Sequence, residues 1–150
     1  MNTWSALQLT ITDRVAEIRL CRPELMNRID MQLHRELGDV LRVGAGDAQV
    51  LALVLSSTGR VFSAGGDTKV MLEAAANMAQ RMTLLDEGRQ LFRSFADFPK
   101  PLVVALAGNA YGLGASLILT ADAIVSSPAI EFSDPHVHMG LVAGDGGTVA

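Results

Sequence analysis

RVFSAGGDTK, residues 60–69, follows the continuous apolar run QVLALVLSS (49–57) and sets two glycines directly before an aspartate. A run of that kind reads as a strand buried on both faces of a parallel sheet. Bare backbone just past such a strand can cradle a phosphate, turn tightly, or aim N–H groups at a developing negative charge. The pattern recurs at PLVVALAGNAYGLGASL (101–117): a buried strand, a glycine-rich turn and the start of an apolar helix. In a parallel sheet both turns fall at the carboxyl ends of strands, where ligands bind, and their N–H groups can converge on one oxygen. GNAYGLGAS gives no clean G-x-G-x-x-G with an acidic strand end about 20 residues beyond, and the G-x-x-x-x-G-K-[ST] phosphate loop is absent. Each turn alone is also compatible with a tight connection that needs glycine only for space.

Outward from these turns the chain alternates strands and helices. ALQLTITDRVAEIRL (6–20) reads as a hairpin turning at Thr12 and Asp13, with Val15, Glu17 and Arg19 alternating against Ala16, Ile18 and Leu20. Pro23 breaks the extended run, and Asp30 is placed to cap a helix whose Leu33, Leu37, Val40 and Leu41 share one face, with VGAGD (43–47) ending it. From Thr68 to about Phe98 the sequence is helix-forming, with Gly88 the expected break between two helices, and FPKP (98–101) stops it. AIVSS (123–127) and AIEFS (129–133) read as two further short strands. This alternation argues for an α/β fold with parallel pairing. GLVAGDGGTVA (140–150) reads as a loop entering a helix, so residues 1–150 are expected to form a core domain cut short of its C-terminal part.

Composition narrows the function classes. A chain of 150 residues suffices for one domain that buries roughly 70% of its unfolded surface. With 49% hydrophobic residues, 19% charged and a net charge of −4, neither disorder nor a nucleic-acid partner is indicated, so local groups must hold any anionic ligand. Cys21 is the sole cysteine, which fits a reducing, cytoplasmic setting, and its strand-like surroundings do not suggest a reactive thiol. MNTWSALQLT has no basic region leading into an apolar core, so it does not read as a signal peptide. No apolar run approaches the ~20 residues needed to cross a bilayer, so no membrane partner is expected.

Four segments in order resemble the crotonase, or enoyl-CoA hydratase/isomerase, superfamily: CRPELMNRID (21–30), RVFSAGGDTKVM (60–71), FPKPLVVALAGNAYGLGASLILTADAIVSS (98–127) and IEFSDPHVHMGLVAGDGG (130–147). The resemblance implies a spiral of ββα units with parallel sheets and helices after glycine-rich turns. It implies an acyl-CoA substrate, with coenzyme A arriving as part of that substrate and no prosthetic group. Two backbone N–H groups, at the positions matching Gly66 and Leu113, hold the thioester oxygen as it becomes an enolate or tetrahedral oxyanion, while Gly65 and Gly112 allow close approach. The CoA contacts carry over to Met26, Ala64, Gly66 and Asp67, with Lys69 and more loosely Arg22 placed for the phosphates; Lys69 also reads as a solvated lysine at a helix start. Family members assemble as trimers or paired trimers, so a homotrimer or hexamer is expected of a full-length chain.

The chain departs from the family where hydratases carry two glutamates, because Ser116 and His136 stand at those positions. Glu131 and Asp134 lie nearby but off the matching positions. His136 and Asp145, nine residues apart, resemble the His and Asp pair of the superfamily's ring-opening β-diketone hydrolase, and a histidine is the natural general base at neutral pH. The readings are therefore an enoyl-CoA hydratase or isomerase using His136 with Asp145, a hydrolase whose water is activated by that pair, or a non-catalytic acyl-CoA-binding or scaffold member. A nucleophilic triad of Ser116, His136 and Asp145, similar to that of ClpP-type serine peptidases, is the remaining arrangement, against a small buried serine on an apolar helix. His138, Tyr111 and Trp4 read as neighbours and packing residues.

Overall fold

The computed structural model describes residues 4–146. The expected hairpin forms from β1 (Leu7–Thr12) and β2 (Val15–Leu20), paired antiparallel. Its two-residue turn is Asp13–Arg14, both with positive φ, the geometry whose twist matches that of the flanking strands. Ala16, Ile18 and Leu20 are buried on the core side, as their alternation requires.

Behind this hairpin lies α1 (Met31–Gly46), started by Asp30, whose carboxylate accepts the Leu33 N–H at 2.9 Å. The same carboxylate takes both ends of the Arg22 guanidinium at 2.7 and 2.8 Å, so Arg22 is a buried clamp on the helix start. Leu33, Leu37, Val40 and Leu41 are all buried. The helix ends within VGAGD, as read from the sequence, with Gly46 its last residue and Asp47 its C-cap.

A two-strand step then repeats. β3 (Ala52–Ser57) joins one sheet, β4 (Val61–Ser63) leaves for a second, and α2 (Thr68–Ala76) and α3 (Met78–Ala96) return. β5 (Leu102–Leu106), β6 (Asn109–Tyr111) and α4 (Leu113–Ile118) repeat the step, and β7 (Ala123–Ser126) and β8 (Phe132–Ser133) begin it again. The first strands build a sheet in the order β1-β2-β3-β5-β7, the second strands a sheet in the order β4-β6-β8, and every pairing after the hairpin is parallel. The result is the expected spiral of ββα units. Leu53, Leu55, Leu102, Val104 and Leu106 from the large sheet meet the α1 leucines and Leu91 and Phe95 of α3 in one core. Each such side chain contributes about 1.5–3 kcal/mol by burial.

Two boundaries differ from those read in the sequence. The three-residue strands β4 and β6 lie inside segments read as turns, too short to show periodicity. The long helical region breaks at Asn77, not Gly88: the Asn77 side chain accepts from Ala79 and Gln80 N–H and its backbone is extended, whereas Gly88 sits in the interior of α3. A side-chain cap ends a helix more decisively than one glycine, which only raises its cost. The helix read into the last residues of GLVAGDGGTVA falls on 147–150, outside the described residues.

Nothing lies within 4 Å of where a Cβ at Gly88 would point. Gly88→Ala is therefore expected to stabilise the chain by about 0.5–1 kcal/mol, read as a higher denaturant midpoint at unchanged slope.

Candidate active site

The early segment and the first glycine turn are laced together by a buried asparagine. Asn27, fully buried, accepts the Arg22 N–H at 2.9 Å and donates to the carbonyls of Thr58 and Val61 at 2.8 and 3.1 Å. Ser63 Oγ donates to the Asn27 carbonyl at 2.9 Å and accepts from Gly65 N–H at 3.2 Å. Ala64 N–H donates to the Met26 carbonyl, Ile29 N–H to the Gly65 carbonyl, and Asp67 N–H to the Ile29 carbonyl. The amides flanking Gly66 are thus all committed. Among the described residues, the Gly66 N–H has no acceptor.

The second glycine turn presses against the first. Gly65 has φ +83°, and a Cβ there would stand 2.6 Å from the Tyr111 carbonyl oxygen and 3.4 Å from Leu113 N. Gly112 turns the chain into α4 with φ +50° and ψ −128°, a conformation that side chains exclude. Leu113 opens α4, and its N–H, like other first-turn amides, has no partner within the helix. Among the described residues it finds none outside the helix either. Two amides without acceptors among the described residues therefore border one crossing of two backbones.

The ionisable groups hang on the same helix. Ser116, 2% exposed, lies one turn into α4 and donates through Oγ to Asp145 Oδ1 at 2.8 Å. Asp145 Oδ2 is 3.5 Å from His136 Nε2, and both side chains are nearly buried. On the other side of the ring, His136 Nδ1 contacts Asp134 Oδ1, which also accepts the His136 backbone N–H at 3.0 Å. The N–H groups of His136, backbone first, hold the Asp134 carboxyl below its ordinary range. This array sits over the second turn: Gly112 N–H donates to the Ser133 carbonyl at 3.0 Å, and Pro135 lies beside Gly112. Gly146, after Asp145, packs against the Phe92 ring of α3, so that helix supports the turn carrying the carboxylate.

His136, Asp145 and Ser116 are thus brought together, but in the order Ser116–Asp145–His136. A nucleophilic triad needs the imidazole against the hydroxyl, and here Ser116 meets the carboxylate instead, which makes it a support for Asp145. Asp67 is buried, caps α2 through Lys69 N–H at 2.9 Å and pairs with Arg28 at 3.1 Å. Met26 is 55% exposed beside the turn, Ala64 is half-buried, and Lys69 extends into solvent near Glu73. Arg22, occupied by Asp30, is not open to a phosphate. Glu131 and His138 are exposed, and the Tyr111 hydroxyl accepts from Asn109. The role of Asp134 was missed from sequence, although an aspartate two residues before a histidine is a recognisable side-chain-to-backbone turn. A separate cavity of about 310 Å³ between α1 and α3 includes no residue of either turn, and its charges, Arg42 with Asp39 and Arg35 with Glu87, pair among themselves.

A profile of the enoyl-CoA hydratase/isomerase family matches residues 10–150. The chain belongs to the enoyl-CoA hydratase/isomerase family. It is 33% identical over 144 residues to the 2,3-dehydroadipyl-CoA hydratase of Escherichia coli K12, covering 96% of this chain and 55% of that relative. It is 31% identical over 146 residues to a probable enoyl-CoA hydratase of Rhodobacter capsulatus, covering 97% of this chain and 55% of the relative. The crystal structure of an enoyl-CoA hydratase from Shewanella pealeana superposes with a TM-score of 0.90 at 27% identity over 95% of this chain and 54% of that one. An enoyl-CoA hydratase/isomerase from Mycobacterium paratuberculosis gives 0.88 at 33% identity, covering 95% and 57%. The ββα spiral is thus the crotonase fold, and the chain spans about half the length of the curated relatives it matches.

Adjacent glycines should behave oppositely in this crotonase turn. Gly65→Ala forces a Cβ into the Tyr111 backbone at a positive φ and is expected to destabilise by roughly 1–3 kcal/mol. At Gly66 a Cβ meets only the flexible end of Met71, so Gly66→Ala should stay within about 1 kcal/mol of the parent. Equilibrium unfolding of the two variants side by side checks this.

Proposed function

We propose that the chain carries the acyl-CoA site of an enoyl-CoA hydratase or isomerase, with Gly66 and Leu113 as oxyanion donors and His136 with Asp145 as the acid-base group. What supports this reading is that the two glycine turns press together at Gly65 and Tyr111, with Leu113 N beside Gly65, and that neither Gly66 N–H nor Leu113 N–H has an acceptor among the described residues. Preorganised donors of this kind are worth about 3–4 kcal/mol each when charge collects on a single oxygen, as it does when a thioester enolises. His136 then moves a proton at the carbon beside the thioester. Asp145, on the Nε2 side of the ring and steadied by Ser116, stabilises the imidazolium that results.

Met26, Ala64, Gly66 and Asp67 border the first turn and form the proposed contact with the adenine and pantetheine of coenzyme A, with exposed Lys69 within reach of its phosphates. Family resemblance extends the reading to a cytoplasmic homotrimer or hexamer. Among the described residues no helix is long and apolar enough to cross a membrane. The named functions of the relatives, hydration and isomerisation of CoA thioesters, favour those reactions over hydrolysis.

A panel of enoyl-, β-keto- and saturated acyl-CoAs tests the assignment. His136→Ala is expected to lower kcat/KM on an enoyl-CoA by at least 10²-fold without changing the fold, the usual scale of a lost acid-base group. Unchanged turnover in that variant would remove His136 from the mechanism. Release of free CoA from saturated thioesters would convert the reading to a hydrolase.

A further inference from the structure

We propose that Asp134 is the positioning residue that fixes the tautomer and ring orientation of His136, an inference that rests on the acid-base role given to His136 above. The carboxylate paired with His136 in the sequence reading is Asp145. The geometry divides the two acids differently.

Asp134 Oδ1 receives both the backbone N–H of His136 and its ring Nδ1, so one carboxylate oxygen grips the residue at two points two residues along the chain. An ionised carboxylate only accepts, so Nδ1 must be the protonated ring nitrogen. The neutral imidazole then carries its lone pair on Nε2. That nitrogen faces Asp145 Oδ2 at 3.5 Å, longer than a made hydrogen bond, and so is placed to take a proton. Once Nε2 is protonated it becomes a donor and Asp145 its acceptor, while Ser116 Oγ donates to the other Asp145 oxygen at 2.8 Å. Asp134 thus selects which nitrogen reacts, and Asp145 receives the charge that reaction creates. The local fold keeps these roles apart. Pro135 separates Asp134 from His136 on a short helical turn (His136–Met139), whereas Asp145 arrives from the next loop and is anchored to α4.

A purely structural alternative exists: Asp134 closes a side-chain-to-backbone turn, and the ring contact is incidental. Two substitutions separate the possibilities. Asp134→Ser keeps a hydroxyl able to cap the His136 backbone N–H but too short to reach the ring, so the turn survives. Asp134→Asn keeps an acceptor oxygen for both contacts.

Long-range ¹H–¹⁵N spectra of the His136 ring, read at a pH where it is neutral, report the tautomer without any turnover. The expected result is the Nδ1–H form in the parent protein and in Asp134→Asn, and a substantial Nε2–H population in Asp134→Ser. On an enoyl-CoA, Asp134→Ser is expected to lose at least tenfold in kcat with KM within about twofold, and Asp134→Asn to recover most of it. An Nε2–H ring in the parent, or identical tautomers in the parent and Asp134→Ser, overturns the proposal even if His136 proves essential. If the spectra behave as expected but His136→Ala retains full turnover, the tautomer control stands and the acid-base reading falls.

Discussion

The site depends on a contact between two stretches of bare backbone. Gly65 and the Tyr111–Leu113 segment approach so closely that a single methyl group on Gly65 would collide with a carbonyl oxygen. Side chains could not create this proximity; they could only prevent it. It is imposed from outside, by β4 and β6 pairing in parallel in the small sheet and by Asn27 and Ser63, which tie the early segment to the first turn from beneath. Because β4 and β6 are parallel neighbours, the two glycine turns that follow them leave the same end of the same small sheet. The two glycine turns lie against each other because the spiral brings equivalent turns of successive units side by side.

The polar array is attached to that crossing, not assembled independently of it. Ser116 belongs to the helix that Leu113 opens, Gly112 is bonded to Ser133, and Asp134 and His136 follow at once along the chain. A shift of the second turn would therefore move the Leu113 amide and the histidine together. Fixed relative placement of donors and base is what gives such a site its leverage, since neither has to reorganise when charge develops. Ser116 and His136 stand where the resemblance puts the family's two glutamates, so the proposed proton-handling group changes while this frame is kept. A carboxylate pair becomes an imidazole between two carboxylates, with a serine steadying one of them.

Much of the frame was legible in the sequence because its signals are strong and local. The hairpin shows in strict alternation from Val15 to Leu20, α1 in the spacing of Leu33, Leu37, Val40 and Leu41 behind a capping aspartate, and the central strands in unbroken apolar runs. β4 and β6 were not visible, because three residues cannot show a period and their pairing is set by the neighbouring units. The α2–α3 boundary was misplaced because a glycine draws attention, while the asparagine cap that ends α2 looks ordinary. At the site, Gly66, Leu113, His136 and Asp145 were named from pattern and resemblance. The order in which Ser116, Asp145, His136 and Asp134 touch depends on three-dimensional placement, and the triad weighed from the ClpP-type resemblance is not the order found. Arg22 likewise read as a cation for phosphate until its pairing with Asp30 was visible.

The central claim is that the Gly66 and Leu113 amides share one oxygen. The direct measurement is a crystal structure with a CoA thioester analogue whose carbonyl is replaced by an enolate-like oxygen. The account predicts that this oxygen lies within about 3 Å of both Gly66 N and Leu113 N, with the His136 ring beside the adjacent carbon. An oxygen bound to only one of these amides, or an analogue seated in the α1–α3 cavity, would contradict it.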